Sequence, residues 1–176
     1  MASCSLVCGL ILLLLTNLVL IVAFVSPYWA VNENNDHQGL WAFCNGDHGC
    51  FWVFQDGYKN KEKIITIDNG WFVATLGLSS VGVGLALMSF IMATVDLCCE
   101  CRSCNASHAI GGLLLLTFLN LGVATAVFGI CGHRFSELGV GTHKSFGWCF
   151  WMNLGGAGLS LLTGFCYVIA GRERYY

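Results

Sequence analysis

Residues 5–25 of the chain read SLVCGLILLLLTNLVLIVAFV, an apolar run without a charged side chain. A helix needs about 20 apolar residues to cross the hydrocarbon core of a bilayer, because each residue adds about 1.5 Å of rise. Three more uncharged apolar runs follow, at residues 71–95, 109–130 and 147–170. The sequence therefore predicts an all-α membrane protein with four membrane-spanning helices.

The composition agrees with a chain that lies mostly in lipid. Hydrophobic residues make up 56% and charged residues 10% of the sequence, whereas an average soluble domain is about 25% charged. The net charge of −2 and the lack of a long basic run give no indication of nucleic-acid binding. We expect a single four-span membrane domain over residues 1–176, with residues 28–70 as its largest water-exposed loop.

A cleaved signal peptide is the alternative interpretation of the first run. The run is longer than the apolar region of a signal peptide, no Lys or Arg precedes it, and a clear cleavage site is missing. The run is followed by Pro27, which breaks a helix. Tyr28 and Trp29 come next, and their side chains suit the lipid–water interface. We therefore interpret the run as an uncleaved span.

Small residues recur at a spacing of four along three of the spans. They are Gly156, Ser160 and Gly164 in the fourth span, Ser80 and Gly84 in the second, and Gly122 and Ala126 in the third. Small side chains let helix backbones approach each other in lipid. We interpret these positions as contacts within one antiparallel four-helix bundle. An interface between subunits is the alternative.

Asparagine lies inside three of the spans, as Asn17, Asn120 and Asn153. Polar side chains at such depth turn toward protein and find partners there. We predict hydrogen bonds between helices at all three positions, with a permeation path as the alternative. No charged residue lies centrally in a span, which argues against a proton relay or an ion-coupled transporter.

Two cysteines of the first loop, Cys44 and Cys50, flank the turn-forming residues Asn-Gly-Asp at 45–47. A turn that brings the flanking segments together supplies the geometry of a disulfide. The flanking segments, 39–44 and 49–54, are predicted to form a hairpin that this disulfide closes. Disulfides persist in oxidising compartments, so this bond would place the loop outside the cell. The hairpin would then form a small extracellular sheet.

Four further cysteines crowd the second loop, namely Cys98, Cys99, Cys101 and Cys104. Cysteines at the cytosolic edge of a span are typical sites of S-acylation, so we predict palmitoylation here. A zinc site and unmodified thiols are the alternatives, but structural zinc loops need two separated ligand pairs. We therefore expect no metal and no cofactor. Cys131 and Cys149 lie near the outer ends of the third and fourth spans, and either form a second disulfide or stay as buried thiols.

The orientation prediction rests on these cysteines. With both termini in the cytosol, three basic residues face the cytosol and five lie outside, so the charge count does not favour this orientation. The predicted disulfide requires an oxidising compartment and the predicted acylation requires the cytosol. Both groups of cysteines therefore indicate cytosolic termini.

The first loop carries a recognisable pattern, in which a tryptophan precedes a Gly-Leu-Trp triplet and two cysteines. The motif residues are Trp29, Gly39, Leu40, Trp41, Cys44 and Cys50. In a four-span chain, this pattern resembles the superfamily of claudins, peripheral myelin proteins and epithelial membrane proteins. Segment 37–41 is most similar to its lens fibre membrane intrinsic branch, and segments 132–135 and 145–148 are similar to that branch and to the epithelial membrane proteins.

The resemblance implies a structural protein of the plasma membrane, multi-pass and located at cell–cell contacts, that acts in contact, junction formation or membrane organisation. Its implied partners are the lipid bilayer and further copies or other membrane proteins, in the same or the opposite membrane. The sequence offers no phosphate-binding glycine loop and no nucleophile with an adjacent base. We therefore predict that it is not an enzyme and has no small-molecule substrate.

An apolar contact surface is predicted on the hairpin, formed by Phe51, Trp52, Val53 and Phe54. The alternative is that these side chains pack on the bundle or lie among lipid headgroups. Two other functions stay open. One is an auxiliary subunit of a channel or receptor; the other is a paracellular pore that favours cations, because the first loop has a net charge of −3.

Overall fold

The computed structural model describes residues 4–31, 36–45, 49–53, 70–99, 106–137 and 145–173. These residues form four long helices and five short strands. In chain order they are α1 (Cys4–Val25), β1 (Ala30–Val31), β2 (His37–Gln38), β3 (Ala42–Asn45), β4 (Gly49–Trp52), α2 (Gly70–Cys99), α3 (Ala106–Glu137), β5 (Ser145–Phe146) and α4 (Trp148–Glu173).

All four helices are long and apolar enough to cross a membrane, over Val7–Val25, Gly70–Cys98, Ala106–Gly132 and Trp148–Gly171. The predicted fold class, an all-α membrane protein with a small sheet in the first loop, is confirmed. α2 and α3 continue several residues past the predicted ends of their spans.

The helices form an antiparallel ring in which α1 contacts α2 and α4, and α3 contacts α2 and α4. One apolar cluster joins the beginnings of α2 and α4, through Phe72 and Phe150, to the end of α3, through Phe128. A second cluster joins the end of α2 to the beginning of α3, through Ala93 and Ile110. Neighbouring helices therefore run in opposite directions.

Glycines mark the closest approaches between helices. A methyl group on Gly156 would lie 2.5 Å from Leu20 Cδ2, and one on Gly164 would lie 3.3 Å from the Gly111 carbonyl oxygen. Ser160, between these glycines, is fully buried. The predicted contact face of α4 therefore packs inside the bundle, against α1 and α3.

The contact faces predicted for α2 and α3 are wrong. A methyl group on Gly84 or Gly122 would have no neighbouring atom within 4 Å, and Ala126 is exposed. The close contacts instead occur at Gly82, where a methyl group would lie 2.7 Å from Leu121 Cδ2, and at Gly111. Spacing identifies a possible face, but bulky neighbours decide which face turns inward.

Only one of the three asparagines in the described spans bonds to another helix. Asn153 Nδ2 donates to Thr125 Oγ1 at 2.8 Å and so connects α4 to α3. Asn17 and Asn120 donate to carbonyls one turn earlier in their own helices, at 2.9 Å and 2.8 Å. The prediction of interhelical hydrogen bonds is therefore confirmed for Asn153 and wrong for the other two, because a carbonyl four residues back lies within reach of the amide.

Candidate functional site

The five strands form one antiparallel sheet in the order β4-β3-β2-β1-β5. Four strands belong to the first loop, where β3 and β4 form the predicted hairpin, and the fifth comes from residues just before α4. The sheet is continuous with the end of α1 and the start of α4, so it lies at the end of the bundle where these helix termini meet.

Trp29 attaches the sheet to the bundle. Its ring is fully buried, and its Nε1 donates to the Ala23 carbonyl at 2.8 Å. The ring contacts Phe128 edge to face, with centroids 5.1 Å apart, and lies in a cluster with Leu40 and Phe72. The interfacial position predicted for Trp29 is therefore wrong, since this side chain is enclosed by protein.

The Gly-Leu-Trp triplet holds the second strand against the end of α1. A methyl group on Gly39 would lie 2.5 Å from Pro27 Cα, so a side chain has no room there. Leu40 is fully buried, and the Trp41 ring contacts Phe24 edge to face at 5.3 Å. Trp29 and the triplet are therefore brought together as one junction between sheet and helices.

The two motif cysteines form the predicted disulfide. Cys44 and Cys50 lie opposite each other in β3 and β4, and their sulfur atoms are bonded. His37 belongs to β2, where it pairs with Cys44 of β3. The His37 ring stacks on Tyr28, with centroids 4.2 Å apart. The His37 ring nitrogen and the two sulfur atoms lie within 4.8 Å of one another. Because both sulfurs are consumed by the disulfide, they offer no thiolate to a metal.

The predicted contact surface is divided between the two faces of the hairpin. Phe51 and Val53 are partly buried and pack against Phe43. Trp52 lies opposite Ala42 on the other face and exposes 42% of its surface. Phe54 lies outside the described residues. Among the described members of this set, Trp52 is therefore the most exposed side chain.

Sequence reasoning missed the fifth strand. Ser145 and Phe146 pair with β1, and the Gly147 N–H donates to the Trp29 carbonyl at 2.9 Å. The Cys149 N–H donates to the Tyr28 carbonyl at 3.2 Å, which satisfies a backbone donor in the first turn of α4. The sequence feature that could have indicated this contact is the glycine of the Gly-Trp pair at 147–148. A methyl group on Gly147 would collide with the Tyr28 carbonyl.

The other cysteines divide between the two ends of the bundle. Cys98 is exposed at the end of α2, Cys99 ends that helix, and Cys101 and Cys104 lie outside the described residues. Cys131 and Cys149 are not bonded to each other, so the second disulfide considered from the sequence is absent.

The alternative of a cation-favouring pore depends on the acidic residues of the first loop, namely Glu33, Asp36, Asp47, Asp56, Glu62 and Asp68. Of these, Asp36 alone lies within the described residues.

Comparison with known families agrees with this arrangement. The family described as PMP-22/EMP/MP20/Claudin matches the chain over residues 2–167. The chain belongs to this family. The match includes every motif residue of the first loop and extends into α4.

Membership in this family assigns a general role. Its members are structural membrane proteins without enzymatic activity, so the chain is a four-span structural membrane protein of the junction type. Its helices contact the lipid bilayer along their exposed apolar faces. In this chain Trp29 and Leu40 of the motif are buried, whereas Trp52 is exposed on the sheet.

Proposed function

We propose that this protein acts in cell–cell contact, junction formation or membrane organisation, and that the sheet is the element that makes the contact. The observation that carries the proposal is the exposed Trp52 on a strand at the edge of a firmly attached sheet. The bound partner is a second copy or another membrane protein on the neighbouring cell. Within the family, we place the chain nearest the lens fibre membrane intrinsic branch.

Trp52 has the properties of a binding residue. Tryptophan is enriched among the few interface residues that carry most of the binding energy. An exposed tryptophan on a sheet presents a large apolar area with little side-chain entropy to lose. Removal of such a residue costs about 2 kcal/mol or more, which is about a 30-fold loss of affinity.

The attachment of the sheet supports a contact role as well. The Cys44–Cys50 disulfide restricts the hairpin, and the Trp29 hydrogen bond to Ala23 connects the sheet to α1. A surface held in this way loses little conformational freedom when it binds. An isolated two-stranded hairpin would be only marginally stable in water.

The disulfide also supports our orientation of the protein in the plasma membrane. It lies at the bundle end formed by the end of α1 and the start of α4, whereas Cys98 lies at the opposite end. We place the sheet outside the cell and both termini in the cytosol, since stable disulfides belong to oxidising compartments. In this orientation Cys98, Cys99, Cys101 and Cys104 reach the cytosolic acylation machinery.

Aggregation of suspended cells tests the proposal. Cells that lack related proteins are transfected with the chain or with Trp52→Ala, and cluster size is measured after gentle shaking. We expect clusters with the parent chain and single cells with Trp52→Ala at equal surface expression. Trp151→Ala is the matched control, because Trp151 is 59% exposed but belongs to α4. Equal clustering by all three proteins would contradict the proposal.

A further inference from the structure

Three reactive side chains lie in one row across the sheet. His37 of β2 pairs with Cys44 of β3, and Cys44 pairs in turn with Cys50 of β4. Residues that pair directly across antiparallel strands present their side chains on the same face of the sheet. The row therefore places an imidazole beside the disulfide, with a ring nitrogen and both sulfur atoms within 4.8 Å of one another.

The two halves of the disulfide differ in their access to water. Cys44 is buried, with 2% of its surface exposed, whereas Cys50 is exposed. Cys50 also belongs to β4, the last strand in the order of the sheet. The rate of attack by a thiolate on a disulfide depends on which sulfur is attacked and on how accessible that sulfur is. A dissolved thiol therefore reaches the Cys50 half of the bond, and Cys44 is the half that leaves.

The leaving half lies next to a fixed histidine. The His37 ring stacks on Tyr28 with centroids 4.2 Å apart and planes 7° apart, and Tyr28 stacks in turn on Trp148 at the start of α4. Histidine gains and loses a proton near neutral pH, and a neighbouring imidazolium stabilises a thiolate. A disulfide opens faster when the leaving sulfur is a more stable thiolate. His37 is therefore placed to assist the departure of Cys44.

We propose that Cys50 is a site of reversible S-thiolation, in which a small thiol opens the disulfide and His37 assists the departure of the Cys44 sulfur. The attacking thiol first loses its proton to water. Its sulfur then bonds to Cys50 Sγ, and the electron pair of the old sulfur–sulfur bond leaves with Cys44 Sγ. The new thiolate takes a proton from the His37 ring. One disulfide and one thiol enter the exchange and one of each leaves, so the step needs no oxidant.

The exchange is compatible with a disulfide that persists. In an oxidising compartment the equilibrium favours the closed bond, whereas exposure and the histidine affect how fast it opens and closes. Cys44 stays beside the mixed disulfide on Cys50, so it can expel the small thiol and restore the hairpin. While the bond is open, β4 and its Trp52 are held to β3 by strand pairing without the covalent link. The chemistry does not depend on what Trp52 binds.

The first test locates the adduct, with glutathione as the probe and the full chain in detergent as the target. Free thiols are blocked with N-ethylmaleimide, the excess is removed, and glutathione is added for a short time at neutral pH. Deuterated N-ethylmaleimide stops the reaction, and mass spectrometry assigns each cysteine. We expect glutathione on Cys50 and the deuterated label on Cys44. Glutathione on Cys44 as often as on Cys50, or no opening of the bond in the folded chain, would overturn the proposal.

The second test measures the role of the histidine. His37→Phe keeps a ring that can stack on Tyr28 but removes the nitrogen that donates the proton. We expect the second-order rate constant for opening by glutathione to fall about 10-fold. His108→Phe is the control, since His108 is exposed in the first turn of α3, at the opposite end of the bundle. We expect it to react as the parent chain does.

The melting temperature of each variant shows whether it is folded. If His37→Phe unfolds, the position of the adduct in the parent chain decides the result. A folded His37→Phe variant that opens at the parent rate would overturn the part assigned to the histidine. Because both tests use isolated protein, they can fail while the contact between cells stands, and the reverse also holds.

Discussion

At the scale of single residues, the Trp29 side chain completes the end of α1. The last four carbonyls of a helix lack partners within that helix. The Ala23 carbonyl belongs to this group, and Trp29 Nε1 donates to it from the loop that follows. One side chain thus stabilises the helix end and fixes where the sheet begins.

We predict that Trp29→Phe destabilises the protein by about 1–3 kcal/mol, because an aromatic ring remains but the buried Ala23 carbonyl loses its donor. The free energy of unfolding in detergent, measured by titration with a denaturing detergent, checks this. Trp151→Phe is the control, since Trp151 is exposed on the outer face of α4. Equal stability of the two variants would show that the Trp29 hydrogen bond contributes little.

At the scale of elements, the spans could be predicted from the sequence, but their inward faces only partly. Hydrophobicity and length located all four helices, since every residue of a span must be compatible with lipid. Gly82 and Gly111 were missed because small residues occur on several faces of α2 and α3. The strand at Ser145–Phe146 was missed because its partner, β1, is more than a hundred residues earlier in the sequence.

Two adjacent glycines of α3 test the packing between α3 and α4. A methyl group on Gly111 would lie 2.6 Å from Val168 Cγ2, whereas one on Gly112 would meet nothing within 4 Å. We predict that Gly111→Ala destabilises the bundle by about 1–3 kcal/mol, because the β-branched Val168 has few alternative rotamers.

Gly112→Ala serves as the matched control and should be neutral or slightly stabilising, since alanine favours a helix more than glycine does. Melting temperatures of both variants in the same detergent provide the comparison. Similar values for Gly111→Ala and Gly112→Ala would mean that α3 and α4 are not in close contact at Gly111.

At the scale of the whole molecule, the disulfide-bonded cysteines and the exposed Cys98 lie at opposite ends of the bundle. The disulfide and the sheet lie at one end, and the exposed Cys98 lies at the other. The motif residues of the site could be predicted because they are close in sequence. The burial of Trp29 and Leu40 and the exposure of Trp52 could not be predicted, because they depend on how the sheet packs onto helices distant in sequence.

This division predicts the orientation of the chain in cells. An epitope tag placed before residue 1 should bind antibody only after the cells are permeabilised, since α1 begins at Cys4, at the bundle end opposite the disulfide. A second tag inserted within residues 54–69 should bind antibody on intact cells. The reverse pattern would contradict the oxidising location that the Cys44–Cys50 disulfide requires.

The central claim is that the sheet makes the contact across the gap between cells, and mixed monolayers test its binding to a second copy most directly. Tagged protein is imaged where expressing cells meet expressing neighbours and where they meet non-expressing ones, with Cys44→Ser and Trp52→Ala beside the parent chain. We predict enrichment at contacts between two expressing cells and its loss in both variants. Even staining of the parent chain along all membranes would contradict the claim.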